Sequence, residues 1–401
     1  MKGAAVDRTV TGMMLNDLHP FLLALLRSSD DPVPADPRTV GDAWDRIIGE
    51  ADEHSVASLL HQSLQTSGGV DWKTSIPQEV ITQLEAKRAA VAARNLLYSD
   101  ELVSILDACE QRKIWCAPLR GLALAEDLFA DISLRPMGDI DLLIRGVDLE
   151  VISEELLNLD YERMDRRTGY AADFYYTGKF IKDRHGWVII EPHWSIAYPP
   201  FLDRFDMDAL LSRCRRGEVV GVETWLLSPE DVLLNLCFHL VHEGREAPLL
   251  RYLEIDRLIR KQGPGLDWSI VTSAADGSGQ GFFIHRVLGN VVENFNTPVP
   301  GEVLASLPAE LPRTREGRIA SFLADRGDID GRESLALMLA LTGVRIRIRY
   351  LLSLLFPTTT FMRIQYELTS RYQYPFAYLK RFGYFLKEGF RGVCTILGRE
   401  K

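Results

Sequence analysis

The 401-residue sequence has no CxxC pair, no repeated cysteine spacing, no internal repeat and no low-complexity segment. Its cysteines, Cys109, Cys116, Cys214, Cys237 and Cys394, are odd in number, which argues against a disulfide framework and for reduced thiols. No uninterrupted apolar run reaches the roughly 18 residues that a spanning helix needs. The run FLLALL near the N-terminus is short and preceded by Asp17 and His19, a poor secretion signal, so a cytoplasmic protein is expected. Positive charge is also scarce: 46 Lys and Arg stand against 56 Asp and Glu, for a formal charge of −10. A chain of that balance is not expected to bind nucleic acid generally.

What is present is ordinary in bulk and uneven in detail. A content of 46% hydrophobic and 25% charged residues suits a globular protein, and the length admits two or three domains. From Arg345 to Lys401, eleven Lys or Arg face three Glu, so this tail is +8 while residues 1–344 are −18. Within it RIRIR is followed by YLLSLLF, and RYQYPFAYLKRFGYFLKEGF interleaves rings with cations. Such a pattern suits a solvated helical lid, a grip on a nucleotide or polyanionic acceptor, or contact with an anionic membrane surface.

Apolar spacings of three and four predict helices over 12–30 and 40–66, separated by the linker DDPVPADP. A long helix is expected after Pro77, where QEVITQLEAKRAAVAARNLLYSDELVSILDACEQR contains neither glycine nor proline. KIWCAPL then reads as a strand, GLALAEDLFA as a helix, MGDIDLLIRG as a strand and VDLEVISEELLNLD as a helix. YERMD, FYYTGKFIKD and WVIIEPHW follow as strands, the last two joined by the turn DRHG. This predicts a small α/β or α+β core over about residues 115–215. SPEDVLLNLCFHLVHEG opens a further helix with Ser228 as cap and Pro229 at its first position, and helices continue to about residue 350.

Within RPMGDIDLLI, Asp139 and Asp141 lie two residues apart on an expected strand, so both carboxylates would face one side. Carboxylates so placed can hold divalent cations that activate an attacking oxygen and stabilise a leaving oxygen in phosphoryl displacement. Upstream, Arg120 and Gly121 precede a helix, a turn suited to an anion, with Arg120 expected at a pocket mouth. Downstream, Glu191 ends an apolar strand and is a candidate third metal ligand or general base. His193 shares its face if the strand survives Pro192, while Arg135 either meets phosphate or braces the carboxylates. His239 and His242 are three residues apart with no third ligand nearby, which favours helix packing over a zinc site.

The ordered set LRGLALAEDLF, RPMGDIDLLI and VIIEPHWSI resembles a bacterial nucleotidyltransferase group of the polymerase-β-like nucleotidyltransferase superfamily, over roughly residues 40–270. The resemblance implies an α+β fold with a small mixed-sheet nucleotidyltransferase core at 97–215. From the chain's own pattern and charge, helical regions at 1–96 and 216–344 and a basic aromatic helical tail at 345–401 are expected to flank it. The resemblance matches Asp139, Asp141 and Glu191 to metal-binding carboxylates, Gly121 to the phosphate-binding turn, and implies Mg²⁺ or Mn²⁺ with an NTP as substrate. The acceptor would be a small molecule, glycan or peptide. Arg120 stands where the group usually carries Lys, a planar fork in place of a point charge. Two other readings accommodate the DxD pair: a metal-dependent glycosyltransferase, and a nucleotide-binding scaffold without turnover.

Overall fold

The computed structural model describes residues 18–27, 36–66, 72–164, 174–184, 186–199, 201–244, 247–311 and 343–396, with isolated positions between 314 and 341. The N-terminal helices are α1 (Pro20–Leu26), α2 (Trp44–Glu53) and α3 (Ala57–Thr66). The single helix expected over 40–66 is thus broken, at Ser55, which takes a φ of 60°. Of the helix expected over 12–30, residues 12–17 and 28–30 lie outside the described residues. The long helix after Pro77 is continuous as α4 (Gln78–Arg112) and ends on Lys113 in the left-handed conformation.

A five-stranded sheet follows, built from β1 (Cys116–Pro118), β2 (Ile140–Ile144), β3 (Glu162–Arg163), β4 (Phe180–Asp183) and β5 (Trp187–His193) in the order β1-β2-β5-β4-β3. Only β2 and β5 run parallel; the sheet is mixed and the fold is α+β with helical flanks. Between β1 and β2 lie the short helix α5 (Leu122–Leu124) and a π-helical turn over Ala125–Phe129, and α6 (Leu149–Asn158) follows β2. The strands expected over YERMD and FYYTGKFIKD are shorter than their sequence pattern. In the second, Thr177 makes only an isolated bridge to His193 and the ladder begins at Phe180.

Period-two alternation decides which side chains reach which face. Ile140, Leu142 and Ile144 of β2, with Val188 and Ile190 of β5, join Tyr98, Leu102 and Ile105 of α4 and Ile152 and Leu156 of α6 in one core. Burying those side chains against α4 and α6 sends Asp141, Glu191 and His193 to the opposite face. That face is covered by α8 (Pro229–Glu243) and α9 (Leu249–Gln262), which follow α7 (Met207–Arg213) and pack on α10 (Trp268–Gly277) and α11 (Gly281–Phe295). Ser228 caps α8 as its sequence predicts, accepting a hydrogen bond from the Asp231 amide at 3.2 Å. After α12 (Gly301–Ser306), the last described elements are α13 (Val344–Leu355), α14 (Thr359–Gln365) and α15 (Tyr374–Ile396).

The sequence signalled no element between 215 and 228, yet β6 (Arg215–Val219) and β7 (Val222–Leu226) form a hairpin, tied to β1 by a hydrogen bond from Thr224 Oγ1 to the Cys116 carbonyl at 3.1 Å. Its two-residue turn places Val220 at φ 48° and Gly221 at φ 78°, the left-handed pair that matches strand twist. Valine is an unusual choice there, because a β-branched side chain crowds the backbone at positive φ. Val220→Asn should therefore raise stability by about 0.5–1 kcal/mol, seen as a higher melting temperature. A lower one would mean that the contacts of the Val220 methyls with the core outweigh the strain.

Candidate active site

The segment that leads into β2 is fastened from behind by α4. Asn95 donates from Nδ2 to the carbonyls of Ile132 (2.5 Å) and Arg135 (2.8 Å), and the Tyr98 hydroxyl donates to the Gly138 carbonyl (2.7 Å). Arg88 holds Ser133 and Asp131 at 2.8 and 2.7 Å. Asp139 therefore enters the site from a fixed turn, one residue before the strand that carries Asp141.

Asp141 and Glu191 are register partners on the parallel strands β2 and β5. His193 follows two residues later, since β5 continues through Pro192. Ligand atoms of Asp141, Glu191 and His193 all lie within 4.8 Å of one another. His193 Nε2 sits 2.9 Å from Asp141 Oδ1. Glu191 is half-buried and pairs with Lys179 at 3.3 Å. Gly121 lines a cavity of about 230 Å³ together with Arg120, Arg135, Asp139 and Asp141, while Glu191 and His193 stand beside Asp141, outside its lining. The Gly121 φ of 55° requires glycine, and an added Cβ would meet Met137 Sδ at 3.4 Å.

Arg120 stands in the wall of this cavity and not at its mouth: the side chain is 7% exposed. Its Nε and Nη2 donate to Asp141 Oδ2 at 3.0 and 2.8 Å, and Nη1 reaches the Tyr198 hydroxyl and Asn235 Oδ1 at 3.3 and 3.4 Å. Glu126 and Asp127, the acidic neighbours in sequence, are engaged elsewhere, with the Val220 amide and with Lys261. Arg135 is likewise buried and donates to Glu254 at 2.7 Å. His239 and His242 serve packing: the His242 ring stacks on Tyr198 with centroids 4.1 Å apart, and His239 Nδ1 lies 3.4 Å from the Tyr198 hydroxyl. Burial lowers the basicity of both, His242 to about 4, so both are neutral near pH 7.

The sequence reading missed Glu243, Arg251 and Glu254. Arg251 lines the cavity and is held by Glu243 at 3.1 Å and by Glu254 at 3.6 Å. One signal was available: Glu254 falls four residues from both Leu250 and Leu258 on the buried stripe of α9, where a carboxylate needs a partner.

The two aspartates differ in their proton affinity. Repulsion from Asp141, then burial and Glu191, raise Asp139 to about 7, against the opposing pull of Arg120 and Arg251. Burial also acts to raise Asp141, but the Arg120 guanidinium and the His193 hydrogen bond outweigh it and hold that carboxyl well below the usual range. The cluster thus carries more negative charge than its cations balance, and Asp139 is where the surplus is felt.

A family model described as an uncharacterised nucleotidyltransferase matches residues 41–296, more than half of the chain and all of the residues just placed. The chain belongs to this nucleotidyltransferase family. No curated protein and no solved structure matches it. The match spans the helices on both sides of the sheet, so α8 and α9, which complete the cavity wall, fall within the nucleotidyltransferase unit.

Two outcomes follow. Arg120→Ala leaves a buried carboxylate without its cation and should cost about 3–5 kcal/mol of stability, a large drop in a thermal melt. Asp139 binds its proton more tightly in the folded chain than in the unfolded one. Its contribution is full below about pH 4 and is lost as pH rises through about 7. Asp139→Asn removes that loss, so its melting temperature should exceed the parent's by a margin that grows from pH 4 to pH 8.

Proposed function

We propose that the protein transfers a nucleoside monophosphate from an NTP to an acceptor, with release of pyrophosphate. The observation that carries the reading is the meeting of Asp139, Asp141 and the Arg120-Gly121 turn in one cavity, with Glu191 in register beside Asp141. The family assignment supports nucleotidyl transfer over glycosyl transfer, which leaves Glu191 and the turn without a role.

The residues fit a hard divalent cation, because the surplus negative charge that raises Asp139 to about 7 is what such an ion would neutralise. Asp139, Asp141 and Glu191 would hold Mg²⁺ or Mn²⁺, which would supply charge stabilisation for a phosphoryl group in flight. In the transfer, an acceptor hydroxyl oxygen forms a bond to the α-phosphorus and the bond from that phosphorus to the pyrophosphate oxygen breaks. The hydroxyl proton passes to a carboxylate, and Glu191, half-buried beside Asp141, is the candidate. Arg251 and Arg135, both lining the cavity and both fixed by Glu254, would set positive charge along the triphosphate without rearranging. His193 would hold Asp141 in one orientation through its 2.9 Å contact.

One observation favours a second reading, a nucleotide-binding scaffold without turnover: both oxygens of Asp141 already have protein partners, Arg120 and His193. Incubation of the purified protein with each labelled NTP, Mg²⁺ or Mn²⁺ and a cell lysate, with mass spectrometry of the products, separates the two. Transfer should appear with at least one NTP and fall by at least about 100-fold in Asp139→Asn and in Asp141→Asn. Binding of NTP without labelled product or pyrophosphate would establish the scaffold instead. Mg²⁺ alone should raise the melting temperature of the parent at pH 8, and much less that of Asp139→Asn.

A further inference from the structure

The tail helices lie beyond the residues that the family match covers and contribute no residue to the cavity. On α13 the inward side chains Tyr350 and Leu354 pack on Phe174. The outward row, Val344, Ile348, Leu352 and Phe356, repeats every four residues and stays 51–72% exposed. On α15, Phe376, Leu379 and Phe382 are similarly outward at 48–75%. Large apolar side chains in rows along two helices are not a scatter of ordinary surface residues.

The charge around these rows is predominantly positive. Arg345 and Arg349 flank the row on α13, and Arg371 and Lys380 stand beside the rings of α15, all four exposed. Between residues 343 and 396, the end of α15, the sequence holds nine Lys or Arg and two acids, Glu367 and Glu388, while residues 1–344 carry −18. Among the described residues no helix is long and apolar enough to cross a membrane. We infer that α13 and α15 form a docking surface for an anionic lipid bilayer, their apolar rows entering the headgroup boundary and their cations meeting lipid phosphate.

The charge pattern selects that occupant. A second copy seated on the same rows about a two-fold axis would set Arg345 and Arg349 against their own equivalents. Duplex nucleic acid is held chiefly through its phosphates and gives exposed leucine and valine nothing to enter. An anionic bilayer satisfies both halves, apolar depth beneath a negative surface, and the acidic remainder of the chain would hold the molecule tail-first. An acceptor carried on lipid would then be presented to an enzyme already at the surface.

The test is co-sedimentation of the full chain with phosphatidylcholine vesicles, with or without about 30% phosphatidylglycerol, at low salt and at about 0.5 M NaCl. Binding is expected to the anionic vesicles, at least about tenfold weaker to the neutral ones, and reduced by salt. Replacing Arg345, Arg349 and Lys380 by Gln should weaken it by about fivefold per charge. Ile348→Ser, Phe356→Ser and Leu379→Ser together should abolish it with no change in the melting temperature, since these side chains face outward. Equal binding to both vesicle types, or none to either, would overturn the proposal. So would a concentration-dependent dimer that the serine variant dissolves, or tight binding of single-stranded oligonucleotide that the serine variant loses.

Discussion

The buried pair of Arg120 and Asp141 is the constraint around which the rest of the site is arranged. A carboxylate 5% exposed and a guanidinium 7% exposed are tolerable inside a protein only if every remaining donor and acceptor is met. The structure meets them in a chain. Asp141 binds Arg120, Arg120 reaches the Tyr198 hydroxyl, and Tyr198 stands against His239. His239 Nε2 lies 3.3 Å from Glu243, which holds Arg251, and Arg251 and Arg135 share Glu254. The members are spread over β2, the turns before α5 and β2, the segment after β5, and the helices α8 and α9, so the sheet and these helices cannot separate without exposing half of an ion pair. The helical part of the nucleotidyltransferase unit is in this sense the second half of the site, joined to the first through charge as well as through apolar packing.

That chain also explains why two aspartates two residues apart have opposite character. Asp141 lies within the strand and takes the cation; Asp139, just before it, takes the repulsion. The difference depends on the turn over residues 132–138 being immobile, because a mobile turn would let Asp139 swing toward water and relax. Asn95, Tyr98 and Arg88 on α4 remove that freedom. A helix that buries its other side chains under the sheet therefore also sets the electrostatics on the opposite face.

The sheet face was legible because period two is a local property: alternation along IDLLI and VIIEPH is enough to separate Asp141, Glu191 and His193 from the core residues between them. Gly121 was legible for a similar reason, as a break before a helix. The β6–β7 hairpin was not, since its turn uses Val220 where Asn or Asp would have announced a left-handed conformation. Glu254 was hidden because its partner Arg135 lies 119 residues away in sequence, and Arg251 because the cavity it lines also takes residues as distant as Arg120 and Asp139. A charged residue on a helix reads as solvated until the element that covers it is known. The partner of Arg120, Asp141, lies 21 residues along the chain and becomes its neighbour because β1 pairs antiparallel with β2.

Arginine at position 120 has a geometric explanation in this chain. Two nitrogens of Arg120 converge on one Asp141 oxygen while the third points the other way, to Tyr198 and Asn235. A planar guanidinium spans these partners at once; an ammonium, whose donors radiate from a single atom, would have to leave one side unserved. Arg120 is thus a brace whose donors are committed within the protein. Positive charge toward the cavity is then left to the more distant guanidiniums, and Arg251 is the one so placed, lining the cavity while two glutamates hold it from behind. The place of Arg120 in the turn is intelligible only together with the charged residues of α8 and α9 that stand in the same cavity wall.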